Sequence, residues 1–231
     1  MHHQAAPADA AGAEGTWDGH ATRYKGQERL EARAIAAALR LADAGPDDRV
    51  VDVATGTGAL LRALAAHQRR PATALGVDRS AGMLAEVGGL PQGWRVVRGD
   101  ARRVPLPGGV ADVVTCCYLL QLLGAEDRGR VLREARRLLA PGPGSRVVLV
   151  TPWADPRAPA GPLLNGLLRH VATAAPRRFG GLMPLDPTPE LEAAGLVATR
   201  RVVLRRGGYP SLVVRAIPAT RLDGGAFKGR A

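Results

Sequence analysis

Lysine and aromatic side chains are nearly missing from this sequence. Of its 32 lysine and arginine residues only Lys25 and Lys228 are lysines, and aromatics make up 3% of the 231 residues. So few rings leave little on which nucleic-acid bases could stack. The net charge of +11 comes from arginines spread along the chain as pairs: Arg69-Arg70, Arg102-Arg103, Arg136-Arg137, Arg177-Arg178, Arg200-Arg201 and Arg205-Arg206. Beside the abundant alanine this reads as compositional bias, and it assigns no partner. Cysteine is scarce too. Cys116 and Cys117 are adjacent, so a disulfide between them is hard to form, and two sulfurs do not complete a zinc site. A reducing cytoplasm is therefore expected, and no metal. No run of 18 or more apolar residues exists, so no membrane span is expected. Residues 1–16 lack the basic and apolar regions of a secretory signal and read as a disordered tail.

What is present describes a globular domain. Hydrophobic residues make up 46% and charged ones 23%, and the length suits one well-buried core. Residues 27–43 carry Leu30, Ala34, Ala37, Ala38 and Leu41 at helical spacing and stop at Gly45-Pro46. A β-branched run at 49–54 without alternation reads as a strand buried on both faces of a parallel sheet. Helix and strand then alternate: helix 59–67, strand 72–77, helix 81–87 capped by Ser80, strand 95–98, strand 111–116, helix 126–139 and strand 146–150. This alternation implies right-handed βαβ units. Residues 151–189 break the rhythm with eight prolines around one helix at 163–172. A short helix at 188–194 precedes strands at 197–204 and 211–217, whose brief link forces antiparallel pairing.

The most informative stretch is Val50-Val51-Asp52-Val53-Ala54-Thr55-Gly56-Thr57-Gly58. A buried strand runs into glycines that let a ligand approach the backbone, with a helix directly behind. Asp78 ends the second strand, where an acid can accept both ribose hydroxyls of a nucleoside. Together they specify an adenosine-containing ligand. A dinucleotide fingerprint wants a third small residue where this chain has Leu61. Asp52 would also repel a pyrophosphate but suits an ammonium or sulfonium group. Both points weigh against a nicotinamide cofactor.

At these residues the chain resembles the class I S-adenosylmethionine-dependent methyltransferases, in particular the ubiquinone/menaquinone-biosynthesis methyltransferase-like group of small-molecule enzymes. The segment Val51 through Gly58 looks like that family's first motif, and Leu75-Gly76-Val77-Asp78 with Met83 looks like its second. Gly99-Asp100-Ala101, Val104-Pro105-Leu106-Pro107 and Ala111-Asp112-Val113-Val114 look like the third and fourth, and Leu138-Leu139-Ala140-Pro141-Gly142 like the turn before strand five. The likeness extends over residues 16–217.

The resemblance implies a Rossmann-like α/β fold with a seven-stranded, mostly parallel sheet ending in a C-terminal antiparallel hairpin. It would form a single domain over 17–218, with 151–189 as a substrate lid and 219–231 as a flexible tail. It implies S-adenosylmethionine as cofactor and S-adenosylhomocysteine as product, with methyl transfer to an oxygen, nitrogen or carbon of a small molecule. The roles it carries over are Gly56 and Gly58, with Ala54 beside them, lining the methionine and ribose portion, Asp52 meeting the ammonium, Asp78 holding the ribose, and Met83 packing on the adenine. Asp100 and Ala101 would meet the adenine edge. Cys116 would offer a backbone carbonyl, and Tyr24 would close over the cofactor from the N-terminal helix. No general base is specified; His20, His170 and Tyr118 are the candidates, and Trp153, Phe179 and Tyr209 join them as possible pocket residues. Whether the enzyme is a monomer or a homodimer stays open. A methyltransferase-like protein using the pocket for a non-methylating cyclisation or rearrangement, and a basic nucleic-acid-binding module, remain as alternatives.

Overall fold

In the computed structural model, residues 21–157, 159–174, 183–205 and 210–219 are described, with side chains from residue 28 onward. The expected N-terminal tail, the C-terminal tail beyond residue 219 and the positions of His20, Phe179 and Tyr209 lie outside the described residues, as does the side chain of Tyr24.

The buried strand at 49–54 is β1 (Arg49–Val53). It sits in the middle of a seven-stranded sheet of order β3-β2-β1-β4-β5-β7-β6. Its neighbours are β2 (Thr73–Asp78) on one side and β4 (Val113–Cys117) on the other, both parallel to it. β3 (Arg95–Arg98) extends the sheet beyond β2, and β5 (Arg146–Pro152) lies beside β4. The last two strands, β6 (Leu196–Leu204) and β7 (Ser211–Pro218), form the antiparallel hairpin expected from their short link, and β7 inserts beside β5. The sheet order reverses direction at β1 and β4, which is where open α/β sheets form a crevice at the carboxyl ends of their strands.

The unbroken apolar character of the central strands has its reason in two cores, one on each face of the sheet. Val51, Val53, Val114, Leu149 and Val214 pack against helix α4 (Ala125–Leu138) and the short helix α6 (Thr188–Ala193). On the other face Val50, Val113, Val148 and Val213 pack with α1 (Ala21–Ala42) and α2 (Ala59–Ala65). Ser80 caps α3 (Ala81–Ala85) by accepting from the Met83 backbone N–H at 3.1 Å. Helix α5 (Gly161–Ala174) follows β5, and Asn165 on it holds the Ala154 backbone by both its N–H and its carbonyl, at 3.0 and 2.7 Å.

Most boundaries shift from the sequence expectation, and three of the shifts have a plain reason. α1 begins at Ala21 rather than near 27, because the first turns carry polar and basic residues with no apolar stripe. β4 spans Val113–Cys117 rather than 111–116, since Ala111 forms only an isolated bridge to Leu139. β5 continues to Pro152, where it still faces Ser211 of β7. Arg102, Arg137 and Arg201 are in ion pairs with Asp100, Glu134 and Asp186, and Arg136 donates to the Ala194 carbonyl. Among the described residues no helix is long and apolar enough to cross a membrane.

Candidate active site

Where β1 ends, the chain has to turn sharply off the sheet. Ala54 and Gly56 have φ of 58° and 56°, and Gly58 follows at 81° as the cap of α2. A left-handed alanine is strained by about 1–2 kcal/mol, so the turn is held from outside. The Thr55 N–H donates to the Val77 carbonyl at 3.0 Å, and the Gly56 N–H donates to Asp78 Oδ2 at 2.8 Å. Asp78 Oδ1 accepts from the Ser80 N–H at 2.9 Å. The acid at the end of β2 thus ties the glycine turn to the start of α3. A Cβ at Gly56 would meet nothing within 4 Å, so its free face looks onto open space.

That space is a cleft at the carboxyl ends of the strands. Ala54, Gly56, Val77 and Asp78 line it on one side, Met83, Gly99, Asp100, Ala101 and Arg102 at its edge, and Leu119, Leu122, Leu123 and Val131 form an apolar wall opposite. A smaller cavity lies next to it, lined by Glu31, Asp52, Thr55 and Thr57 among others. Ala54, Gly56, Cys117 and Tyr118 line both.

Asp52 is buried at 2% exposure and lies level with Thr115 in the parallel register of β1 and β4. Thr115 Oγ1 and Thr55 Oγ1 each donate to its carboxylate at 2.7 Å. Burial pushes its pKa up to about 6, against the pull of those hydroxyls, and the nearby Asp78 adds to the rise. Burial raises Asp78 as well, opposed by its backbone N–H bonds. Asp100 goes the other way: the Arg102 guanidinium holds its carboxyl below the usual carboxylate range.

The absent third small residue of the glycine motif has a structural counterpart on the neighbouring strand. Gly76 of β2 has no room for a side chain, since a Cβ there would come within 2.8 Å of Thr55 Cγ2 and 2.9 Å of Leu61 Cδ1. The bulk of Leu61 is thus accommodated by the glycine of the second motif.

Asp52, Ala54, Gly56, Asp78, Met83, Asp100 and Ala101 are all brought to the two cavities. Gly58 is not; a Cβ there would sit 2.9 Å from Val87 Cγ1, so its smallness serves packing behind the turn. Cys116 lies in the core under α4, and the next residue, Cys117, lines the cleft instead. Burial raises the thiol pKa of Cys117 well above its ordinary value, which keeps it neutral and inert. Tyr118 lines both cavities, but its phenol is hydrogen-bonded to Ser211 Oγ at 2.8 Å in the core. His170 is exposed on α5 and lines neither cavity. Trp153 is half-buried and packs against the core beside α4. Sequence reasoning passed over Glu28 and Glu31 on α1. Glu28 accepts from Thr57 Oγ1 and pairs with Arg62 at 2.9 Å, latching α1 onto the glycine turn. Glu31 is buried at 2% exposure on the face that continues with Ala34 and Ala38, so an acid interrupting an apolar stripe was the available signal.

The family model for a methyltransferase domain matches residues 50–142. Over those residues the chain resembles a methyltransferase domain. The match runs from β1 to just past α4, the half of the sheet that builds the cleft. A demethylmenaquinone methyltransferase of Mycolicibacterium vanbaalenii is 37% identical over 134 residues, covering 54% of this chain and 54% of the relative. A ubiquinone/menaquinone biosynthesis C-methyltransferase of Caulobacter vibrioides is 38% identical over 129 residues, covering 51% and 48%. The chain thus spans about half the length of these curated relatives. A solved S-adenosylmethionine-dependent methyltransferase from Aquifex aeolicus superposes with a TM-score of 0.60 at 19% identity, covering 86% of this chain and 97% of the other. The fold is therefore the Rossmann-like class I methyltransferase fold expected from the motifs. The cleft has four features that bear on what it could bind. It offers an acid at the end of β2, a glycine face open to the cleft, an apolar slot and a buried carboxylate in the adjoining cavity. Among the described residues no cluster of three or more His, Cys, Asp or Glu side chains is placed to hold a metal ion.

Proposed function

We propose that the protein binds S-adenosylmethionine in the paired cavities and catalyses methyl transfer to a small-molecule acceptor, of the quinone type named for its sequence relatives. The observation that carries the reading is the placing of Asp78 against the Gly56 turn at the cleft, with Asp52 in the adjoining cavity. When bound, the cofactor supplies an electrophilic methyl group on a sulfonium.

The chain's own residues bind, orient and exclude water. Asp78 accepts from the ribose hydroxyls. Met83 and the Leu119–Leu122–Leu123 wall enclose the adenine, while Asp100 and the Ala101 backbone meet its edge. Asp52 faces the ammonium of the methionine half. Cys117, rather than Cys116, borders the junction of the two cavities, where the sulfonium belongs. Holding donor and acceptor in line in a dry site can contribute about 7–11 kcal/mol. The acceptor approaches from the side of α1 and the segment that follows β5. Residence in the cytoplasm fits the free Cys116 and Cys117.

Thermal melting with ligands in large excess tests this reading. S-adenosylmethionine and S-adenosylhomocysteine at about 100 times their Kd add about 2.7 kcal/mol, a rise of roughly 5–10 °C at this size. NAD(P) should add nothing. A flat response to both adenosyl ligands would refute it.

The buried carboxylate gives a pH signature with two opposite signs. Asp52 carries a proton more readily in the folded chain than in the unfolded one, so the ligand-free protein loses about 3 kcal/mol of stability from this group as pH rises from about 4 to 6. The ammonium pairs with the charged form, so affinity moves the other way. The Kd for S-adenosylhomocysteine should be about tenfold weaker at pH 5 than at pH 7.5. Asp52→Asn should flatten that dependence; calorimetric titration of both proteins at the two pH values would show it.

A further inference from the structure

The loop after β3 carries an arrangement that the adenosyl reading alone does not require. Asp100 and Arg103 form a tight turn, with the Arg103 N–H donating to the Asp100 carbonyl at 3.0 Å. Inside it Arg102 folds back onto Asp100. Its backbone N–H donates to Oδ1 at 2.8 Å, its Nε lies 3.0 and 3.1 Å from the two carboxylate oxygens, and its Nη2 lies 2.6 Å from Oδ2. The remaining arm, Nη1, reaches Asp127 Oδ2 at 3.0 Å in the first turn of α4. Arg102 is itself a cleft-lining residue, and Val131, one turn further along α4, belongs to the opposite wall. One guanidinium therefore fixes the acid at the cleft edge and spans to the helix forming the far wall.

We infer that Arg102 is a positioning residue that sets selectivity for adenine, by locking the Asp100 carboxylate and clasping the loop after β3 to α4. The inference rests on the adenosyl reading of the cleft. A carboxylate free to rotate at the edge of a cleft can be satisfied by water. One gripped along its side by a planar fork has its remaining lone pairs held in a fixed direction. A fixed acceptor rewards a ligand that presents an N–H there and penalises one that presents a carbonyl oxygen, because the mismatched pair stays desolvated and unpaired. Adenine presents an exocyclic amine on that edge; its deaminated counterpart presents an oxygen. Lysine could supply the charge but not the fork.

The test titrates the purified full chain with S-adenosylhomocysteine and with its deaminated analogue, S-inosylhomocysteine. The wild-type protein is expected to prefer the adenosyl ligand by about 10–100-fold. In Arg102→Gln the adenosyl ligand should weaken about tenfold while the analogue changes less than about twofold, collapsing the ratio. Equal weakening of both ligands, or an unchanged ratio, would overturn the inference and leave Arg102 a structural clasp. If melting shows that Arg102→Gln does not fold, Arg102→Lys carries the same test, and a wild-type ratio in that variant overturns the inference. A wild-type protein that binds neither ligand instead overturns the adenosyl reading, and this inference with it.

Discussion

Replacing Asp78 with alanine should abolish measurable binding of S-adenosylhomocysteine while leaving the chain folded. The carboxylate is the proposed acceptor for two ribose hydroxyls, and hydrogen bonds to a charged group contribute about 1.5–3 kcal/mol each. Losing both weakens binding by a factor on the order of 100 to 10,000. The same carboxylate holds the Gly56 and Ser80 N–H groups, so the turn that shapes the cleft loosens as well, and both effects act in one direction. Folding should survive because burial already disfavours this charge, so its removal relieves a penalty as the two backbone bonds are lost. Calorimetric titration beside a melting curve separates the cases. A variant that keeps its Tm within a few degrees but shows no ligand-induced rise supports the role. A Kd within about fivefold of wild type would remove Asp78 from the ribose site.

Replacing Arg146 with methionine should produce a large loss of stability at a position far from the cofactor. Arg146 opens β5 at 6% exposure, and its guanidinium works at the C-terminal end of α1. It donates to the carbonyls of Ala42, Asp43 and Gly144 and pairs with Asp48 at 2.9 Å. Cations are favoured where a helix ends in unsatisfied carbonyls. Methionine fills the volume but leaves those carbonyls and a carboxylate without a donor, and breaking a buried pair in this way costs about 3–5 kcal/mol. At about 2–4 °C per kcal/mol for a chain of this size, the Tm should fall by roughly 6–20 °C. Arg201→Met is the matched control. That pair with Asp186 is 40% exposed on the arginine side, and its loss should change the Tm by no more than a few degrees. Equal losses in the two variants would show that Arg146 does not staple α1 to the sheet.

The two variants also separate what could be read along the chain from what could not. Asp78 was legible: an acid closing a β-branched run, at a fixed distance after a glycine turn, has a local reason to be there. The alternation of strands and helices was legible for the same reason, as was the antiparallel hairpin, whose link is too short for a crossover. Arg146 looked like the polar first residue of a strand. Its four partners lie on α1, on the loop before β1 and just before β5, and only packing α1 across the sheet brings them together.

Strand β4 marks the limit most clearly. Val113-Val114-Thr115-Cys116-Cys117 is apolar or small throughout, because both faces of the strand are covered. A strand without alternation carries no sign of which residue faces which side, so the sequence could not choose between Cys116 and Cys117. The hydrogen-bonded register with β1 made the choice, setting Thr115 beside Asp52 and leaving Cys117 at the cleft.

By itself, then, the sequence determined the order of elements, the glycine turn, the acids at the strand ends and the type of ligand they suit, since each depends on residues close together in the chain. The tertiary structure alone decided that Asp52 is buried between two threonines, that Gly76 makes room for Leu61, and that Arg102 joins two walls of the cleft. Those contacts join residues distant in sequence, and they exist only once strand register and helix packing have removed the groups from water together.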